Sequence, residues 1–107
     1  MTKKDKFLAL VTEQDDSVLE QINWRMENRT WLNRSKAIAV RILTRIDELN
    51  ISQKELAKNM SVSPQQVNKW LKGTENFTIE TISKLEDALH IELINVVNYK
   101  ADAIHEI

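Results

Sequence analysis

From Ser35 onward the apolar positions fall into helical stripes with recognisable ends. Ile38, Ile42, Ile46 and Leu49 recur at steps of four, four and three, with Leu43 beside them. That spacing predicts a helix from Ser35 to about Leu49 with one apolar face. Asn50 suits the left-handed position just past a helix, and Ile51 the apolar contact that follows it. Ser52-Gln53-Lys54-Glu55 then has the S-x-x-E form of a capping box, immediately before Leu56-Ala57. This second helix should end near Asn59 or Met60. Ser63-Pro64-Gln65-Gln66 supplies another N-cap, with Pro64 in the first turn, where its missing N–H costs nothing. Gly73 closes that helix. Asn76 and Thr78 lead into a fourth, with Ile79, Ile82, Leu85 and Leu89 as its buried face.

The flanks carry weaker patterns. Lys3 to Val11 reads as a short helix. Asp15 or Asp16 caps another, in which Val18, Ile22 and Met26 repeat every four residues. Met26 and Met60 read as core or boundary fillers. Trp24 and Trp31 are open between packing on the bundle, a ligand site and a partner interface. After His90 the run IELINVVNY is β-branched and strand-like, with a short helix as the alternative. The expected organisation is a helical extension over 1–35, a bundle over 36–91 and a C-terminal segment over 92–107. Leu93, Ile94, Val96, Val97 and Tyr99 are candidates there for a dimer interface. With 107 residues, one Gly and one Pro, the chain should form one all-α domain.

Charge modifies this picture more than composition does. The net charge of −1 argues against a polyanionic partner until it is divided along the chain. Residues 1–35 balance six basic against six acidic groups. Residues 36–75 carry seven basic and four acidic, and residues 76–107 two basic and six acidic. The positive excess lies on the two short helices, and local field steers a partner more than total charge does. Cysteine is absent, which removes disulfides and thiolate chemistry. The apolar part of TKKDKFLALV is too short for a signal peptide or a spanning helix, so a cytoplasmic location is expected.

The third helix carries the candidate chemistry. At about 100° per residue, Lys69 and Lys72 fall within roughly 40° of Gln65, and Asn68 about 60° to one side. Val67, Trp70 and Leu71 lie opposite, which makes Trp70 a core residue rather than a stacking platform. The outward face has no carboxylate in a protein with sixteen. Gln and Asn can pair with adenine in the major groove, and Lys with guanine or a phosphate. The tame alternative makes Gln65 and Gln66 exposed helix formers, with Gln66 in a capping role. The capped N-termini at Ser52 and Ser63 suit phosphate oxygens. Lys3, Lys4 and Lys6 read either as an arm on DNA or as a frayed terminus. Nothing points to catalysis. His90 and His105 stand far apart without a nucleophile motif, and helix-end and solvation roles account for His90, Asp15-Asp16 and Glu86-Asp87. No metal-ligand spacing and no phosphate-cradling Gly-rich loop occurs, so neither metal nor cofactor is expected.

ISQKELAKNMSVSPQQVNKWLKGTENFTIETISKLEDAL resembles the Cro and lambda-repressor-like (XRE) helix-turn-helix family. The match rests on Gln53, Leu56-Ala57, Val62-Ser63, Val67, Trp70 and Gly73, and with the preceding helix covers about residues 36–91. The resemblance implies a compact bundle of four or five helices that binds double-stranded DNA, usually as a dimeric repressor on an inverted repeat. It implies base reading by Gln65, Gln66, Asn68 and Lys69. Phosphate contacts are implied for Ser52, Gln53, Ser63, Lys72, Thr74 and Asn76. It also admits an antitoxin of the HigA type, whose extra segment binds a toxin. Two positions depart from the family. Ser61 stands where a turn glycine is usual, which demands a strained or differently wound backbone there. Pro64 replaces a frequent base-reading Gln and leaves only apolar contact, as to a thymine methyl.

Overall fold

A computed structural model describes Lys3 and residues 16–97 of the chain. From residue 16 to 97 five helices follow one another: α1 (Asp16–Glu27), α2 (Arg29–Glu48), α3 (Gln53–Met60), α4 (Pro64–Leu71) and α5 (Ile79–Leu89). No strand occurs among the described residues, so the all-α, lambda-repressor-like bundle expected from the sequence is what forms. Tyr99, His105, Asp15 and, apart from Lys3, the expected helix over Lys3–Val11 lie outside the described residues.

α2 starts at Arg29, six positions before the expected Ser35. Nothing in RTWLNRS stops a helix, and the added turns extend the buried stripe to Leu32, Ser35, Ala39, Ile42 and Ile46. Ser35 is a buried interior residue whose Oγ donates to the Glu75 carbonyl at 2.6 Å. Leu43 and Leu49, read as part of the stripe, sit on its edge and stay exposed. The end of α2 is as the sequence reads. Asn50 takes φ 56°, its N–H bonds to Asp47 O at 3.1 Å, and Ile51 N–H reaches back to Ile46 O at 3.0 Å. That pair of bonds is the Schellman arrangement, which satisfies two carbonyls that the helix leaves open.

The core gathers Ile42, Ile46, Leu56, Ala57, Val67, Trp70, Leu85 and Leu89. α3 packs against α4 and α5, while α2 runs across α4 and α5 and carries α1 at its start. Phe77 and Met60 are half-buried against this cluster. Ile79, expected in the buried face, is 74% exposed. It opens α5 at the first helical position after the Thr78 cap, where the helix has not yet reached the core, and Phe77 takes the inward place. Met26, expected as core or boundary, is 70% exposed. Among the described residues α1 packs chiefly on α2.

Past α5 the chain is irregular, neither strand nor helix as far as residue 97. His90 holds φ 54°, and Arg45 Nε donates to Leu89 O at 2.8 Å, closing the helix end from α2. The Glu86 carboxylate accepts from Leu93 N–H at 2.7 Å and Ile94 N–H at 3.3 Å. Two N–H groups that a strand would offer to a neighbour are thus taken by a side chain. Ile91 and Leu93 pack on the core.

Candidate nucleic-acid interface

The candidate interface is built on α3, the turn and α4. Ser52 caps α3, its Oγ accepting from Glu55 N–H at 3.0 Å. The Glu55 carboxylate lies 3.4 Å from the same hydroxyl, so the second half of the capping box goes to the Ser52 side chain. The Ser52 hydroxyl is thus engaged within the cap, and what Ser52 offers a phosphate is chiefly its backbone.

The turn is strained as expected. Ser61 adopts φ 56°, ψ 41°, a region that costs a side-chain-bearing residue on the order of 1 kcal/mol. What holds it is a second Schellman closure, with Ser61 N–H on Lys58 O at 3.2 Å and Val62 N–H on Ala57 O at 3.0 Å. The turn delivers Ser63 as the N-cap of α4, its Oγ accepting from Gln66 N–H at 3.1 Å, and Pro64 opens the helix. Proline has no N–H and Gln66 N–H is already bonded, so Gln65 carries the remaining first-turn donor.

α4 is two-faced. Val67 is fully buried and Trp70 is 5% exposed, with Leu71 half-buried against the core. Pro64, Gln65, Asn68 and Lys69 face solvent, and Gln66 is half-buried on the flank. Beyond the helix, Lys72, Thr74 and Asn76 are exposed. Gly73 between them is buried with φ +80°, and a Cβ there would stand 2.9 Å from Lys36 Cγ. The close approach of α2, together with the Ser35–Glu75 bond, fixes the loop that carries Lys72, Thr74 and Asn76. The sequence pattern does not announce that anchorage, because its partners lie 40 residues apart.

Two further features were not legible beforehand. A groove of about 390 Å³ runs between α3 and the start of α4, lined by Lys54, Glu55, Ala57, Lys58, Val62 and Pro64. On α5, Lys84 Nζ lies 2.8 Å from Glu80 Oε1, and its hydrogen bond and charge hold the Glu80 carboxyl below its ordinary range. Among the described residues no cluster of His, Asp or Glu could hold a metal, and no helix is long and apolar enough to cross a membrane.

A short capped helix, a tight left-handed turn and a second helix with one anchored and one polar face define a helix-turn-helix DNA-binding domain. Residues 42–94 match the family model described as helix-turn-helix. This part of the chain belongs to that family, of the Cro and lambda-repressor-like kind, and its role is that of a DNA-binding transcription regulator. No curated protein and no solved structure matches the chain.

Proposed function

We propose that the protein is a cytoplasmic, sequence-specific repressor that lays α4 in the major groove of double-stranded DNA. The observation that carries this reading is the outward face of α4: exposed, free of carboxylates, and held rigid by Val67 and Trp70 behind it. In this reading Gln65, Gln66, Asn68 and Lys69 read base edges. Of these Gln66 has the least freedom, being half-buried. Ser52, Gln53, Ser63, Lys72, Thr74 and Asn76 hold the backbone. Acting as a dimer, the protein would take an inverted repeat with half-sites about 34 Å apart.

The test is selection of bound sequences from a random duplex pool, followed by titration of variants. Gln65→Ala and Lys69→Ala should each cost about 1–3 kcal/mol and relax preference at one base pair. Equal loss on random DNA would remove the base-reading role. A monomeric mass in solution, unchanged on deleting residues 92–107, would remove the dimer.

A second reading, an antitoxin that also binds a toxin protein, is favoured by apolar surface outside the helix-turn-helix. Trp24 and Met26 on α1 and Ile94, Val96 and Val97 after α5 are all exposed. Co-purification with a small basic protein encoded next door is its test.

A further inference from the structure

We infer that Arg25, Arg29 and Lys36, on α1 and the first turns of α2, form a second phosphate-holding surface that extends the DNA contact beyond the helix-turn-helix. The inference rests on the DNA-binding reading above and adds to it a part of the chain that the family match leaves out, since Arg25, Arg29 and Lys36 all precede residue 42.

The three cations line one groove of about 520 Å³ that also includes Thr74, and no carboxylate lines it. Thr74 thus belongs both to the loop proposed to follow the backbone and to this groove. The loop is pinned to α2 at the adjoining positions, by Ser35 Oγ on Glu75 O and by Gly73 against Lys36. A strand held at Lys72 and Thr74 is therefore delivered to Lys36. Arg29 and Lys36 are seven positions apart on α2, hence on one face and about 10 Å apart along the axis. One DNA strand presents a charge about every 3.4 Å of axis, so the row is long enough to meet two or three phosphates.

The chemistry of the groove fits a polyanion. Arg41, Arg45 and Lys84 are engaged with glutamates. Among the described residues Arg25, Arg29 and Lys36 have no such partner. Trp24 and Leu32 supply an apolar lining, which weakens screening by water and strengthens attraction to a phosphate.

The geometry of Arg25 relative to Arg29 is also fixed, because the corner between α1 and α2 is tied. Asn28 Nδ2 donates to Trp24 O at 2.7 Å, and Trp31 Nε1 donates to Asn28 Oδ1 at 2.8 Å. The two indoles meet edge to face with centroids 5.9 Å apart. Asn28 and the tryptophan pair so account for residues that the base-reading helix does not use.

The experiment measures binding of the full chain to its selected duplex between about 50 and 200 mM salt, and compares three variants with the unmodified protein. Arg25→Gln/Arg29→Gln should lower the slope of log affinity against log salt by about 1.8, which shrinks the fall in affinity over that range about 12-fold. Its base preferences in the random pool should not change. Arg41→Gln/Lys84→Gln removes the same charge elsewhere and should leave the slope near that of the unmodified protein. Adding Lys36→Gln to the first pair should remove about one further contact. An unchanged slope in the first pair, or a slope lowered equally in the control pair, overturns the inference and leaves the repressor reading intact. A shifted base preference overturns the phosphate role. Failure of the unmodified protein to bind any duplex at 50 mM salt would overturn both.

Discussion

α1 and α3 differ little in kind. Both are amphipathic helices, of 12 and 8 residues, with a charged solvent face. Yet the shorter one buries Leu56 and Ala57 completely, and the longer one buries nothing to that degree. The difference lies in their neighbours. α3 is enclosed by α4 and α5, whereas among the described residues α1 packs chiefly on α2. Apolar repetition supplies a face, and only a second and third element turn that face into core. α1 is held mostly at its end, through Trp24, Asn28 and Trp31. That suits a part whose work is to present side chains rather than to stabilise the fold.

The largest expected effect tests this contrast directly. Leu56→Ala removes a fully buried side chain from the middle of the core and should cost about 2–5 kcal/mol of stability. Ile22→Ala, on the half-buried face of α1, should cost under about 1 kcal/mol. Urea unfolding of the two variants measures both. Comparable losses would mean that α1 is part of the core after all.

The same contrast explains which parts of the molecule the sequence made legible. The caps at Ser52 and Ser63 and the left-handed Asn50 are local devices, written within a few residues, and all three were readable. So was the inward Trp70, because it shares the one apolar face of α4 with Val67 and Leu71. Val18, Ile22 and Met26 have the same spacing as Ile38, Ile42 and Ile46. Spacing alone could not show that Met26 would stay exposed. Ile79 failed for a related reason, since a stripe counted backward from Leu89 reaches a first helical turn that points past the core. The loop anchorage by Ser35 and Lys36, the closure of α5 by Arg45 and the hold of Glu86 on Leu93 are contacts between distant or folded-back segments. No periodicity encodes them. For the interface itself, the exposed positions on α4 were legible, and Glu55 beside Ser52 was legible only as a cap.

The seam between the two regions offers the next effect. Gly73→Ala would place a Cβ 2.9 Å from Lys36 Cγ at a backbone angle of φ +80°. Both faults act together, and the expected loss is about 1–3 kcal/mol. The displaced loop should also weaken DNA binding by the full chain, as read in the same titration used for Gln65→Ala. A loss of stability without any loss of binding would show that the loop is not held for the sake of a ligand.

A gain is expected within the turn of the core region. Ser61→Gly replaces a side-chain-bearing residue at φ 56° with the one residue that meets no Cβ penalty there. The Schellman bonds are made by the backbone and survive the change. Stability should rise by about 0.5–1 kcal/mol, seen as a higher urea midpoint with an unchanged slope. A lower midpoint would mean that the Ser61 side chain contributes something beyond filling the turn.

The smallest effect separates surface electrostatics from both regions. Lys84 lowers the pKa of the Glu80 carboxyl in the folded protein, first through its hydrogen bond and then through its charge. A carboxyl with a depressed folded pKa contributes stability above its unfolded pKa and loses it as pH falls through the folded one. Lys84→Gln should therefore lower Tm slightly at neutral pH and not at all in acid well below the ordinary carboxylate range. Glu80 is fully exposed, so the neutral-pH difference should also shrink in about 1 M salt, where the screening length falls to about 3 Å, close to the separation of the pair. Glu80 lies in the first turn of α5 and keeps its favourable place at the helix N-terminus in this variant, which isolates the pair from the dipole. A Tm loss that persists in acid and in high salt would assign the role of Lys84 to the packing of its alkyl stem on α5, not to its charge.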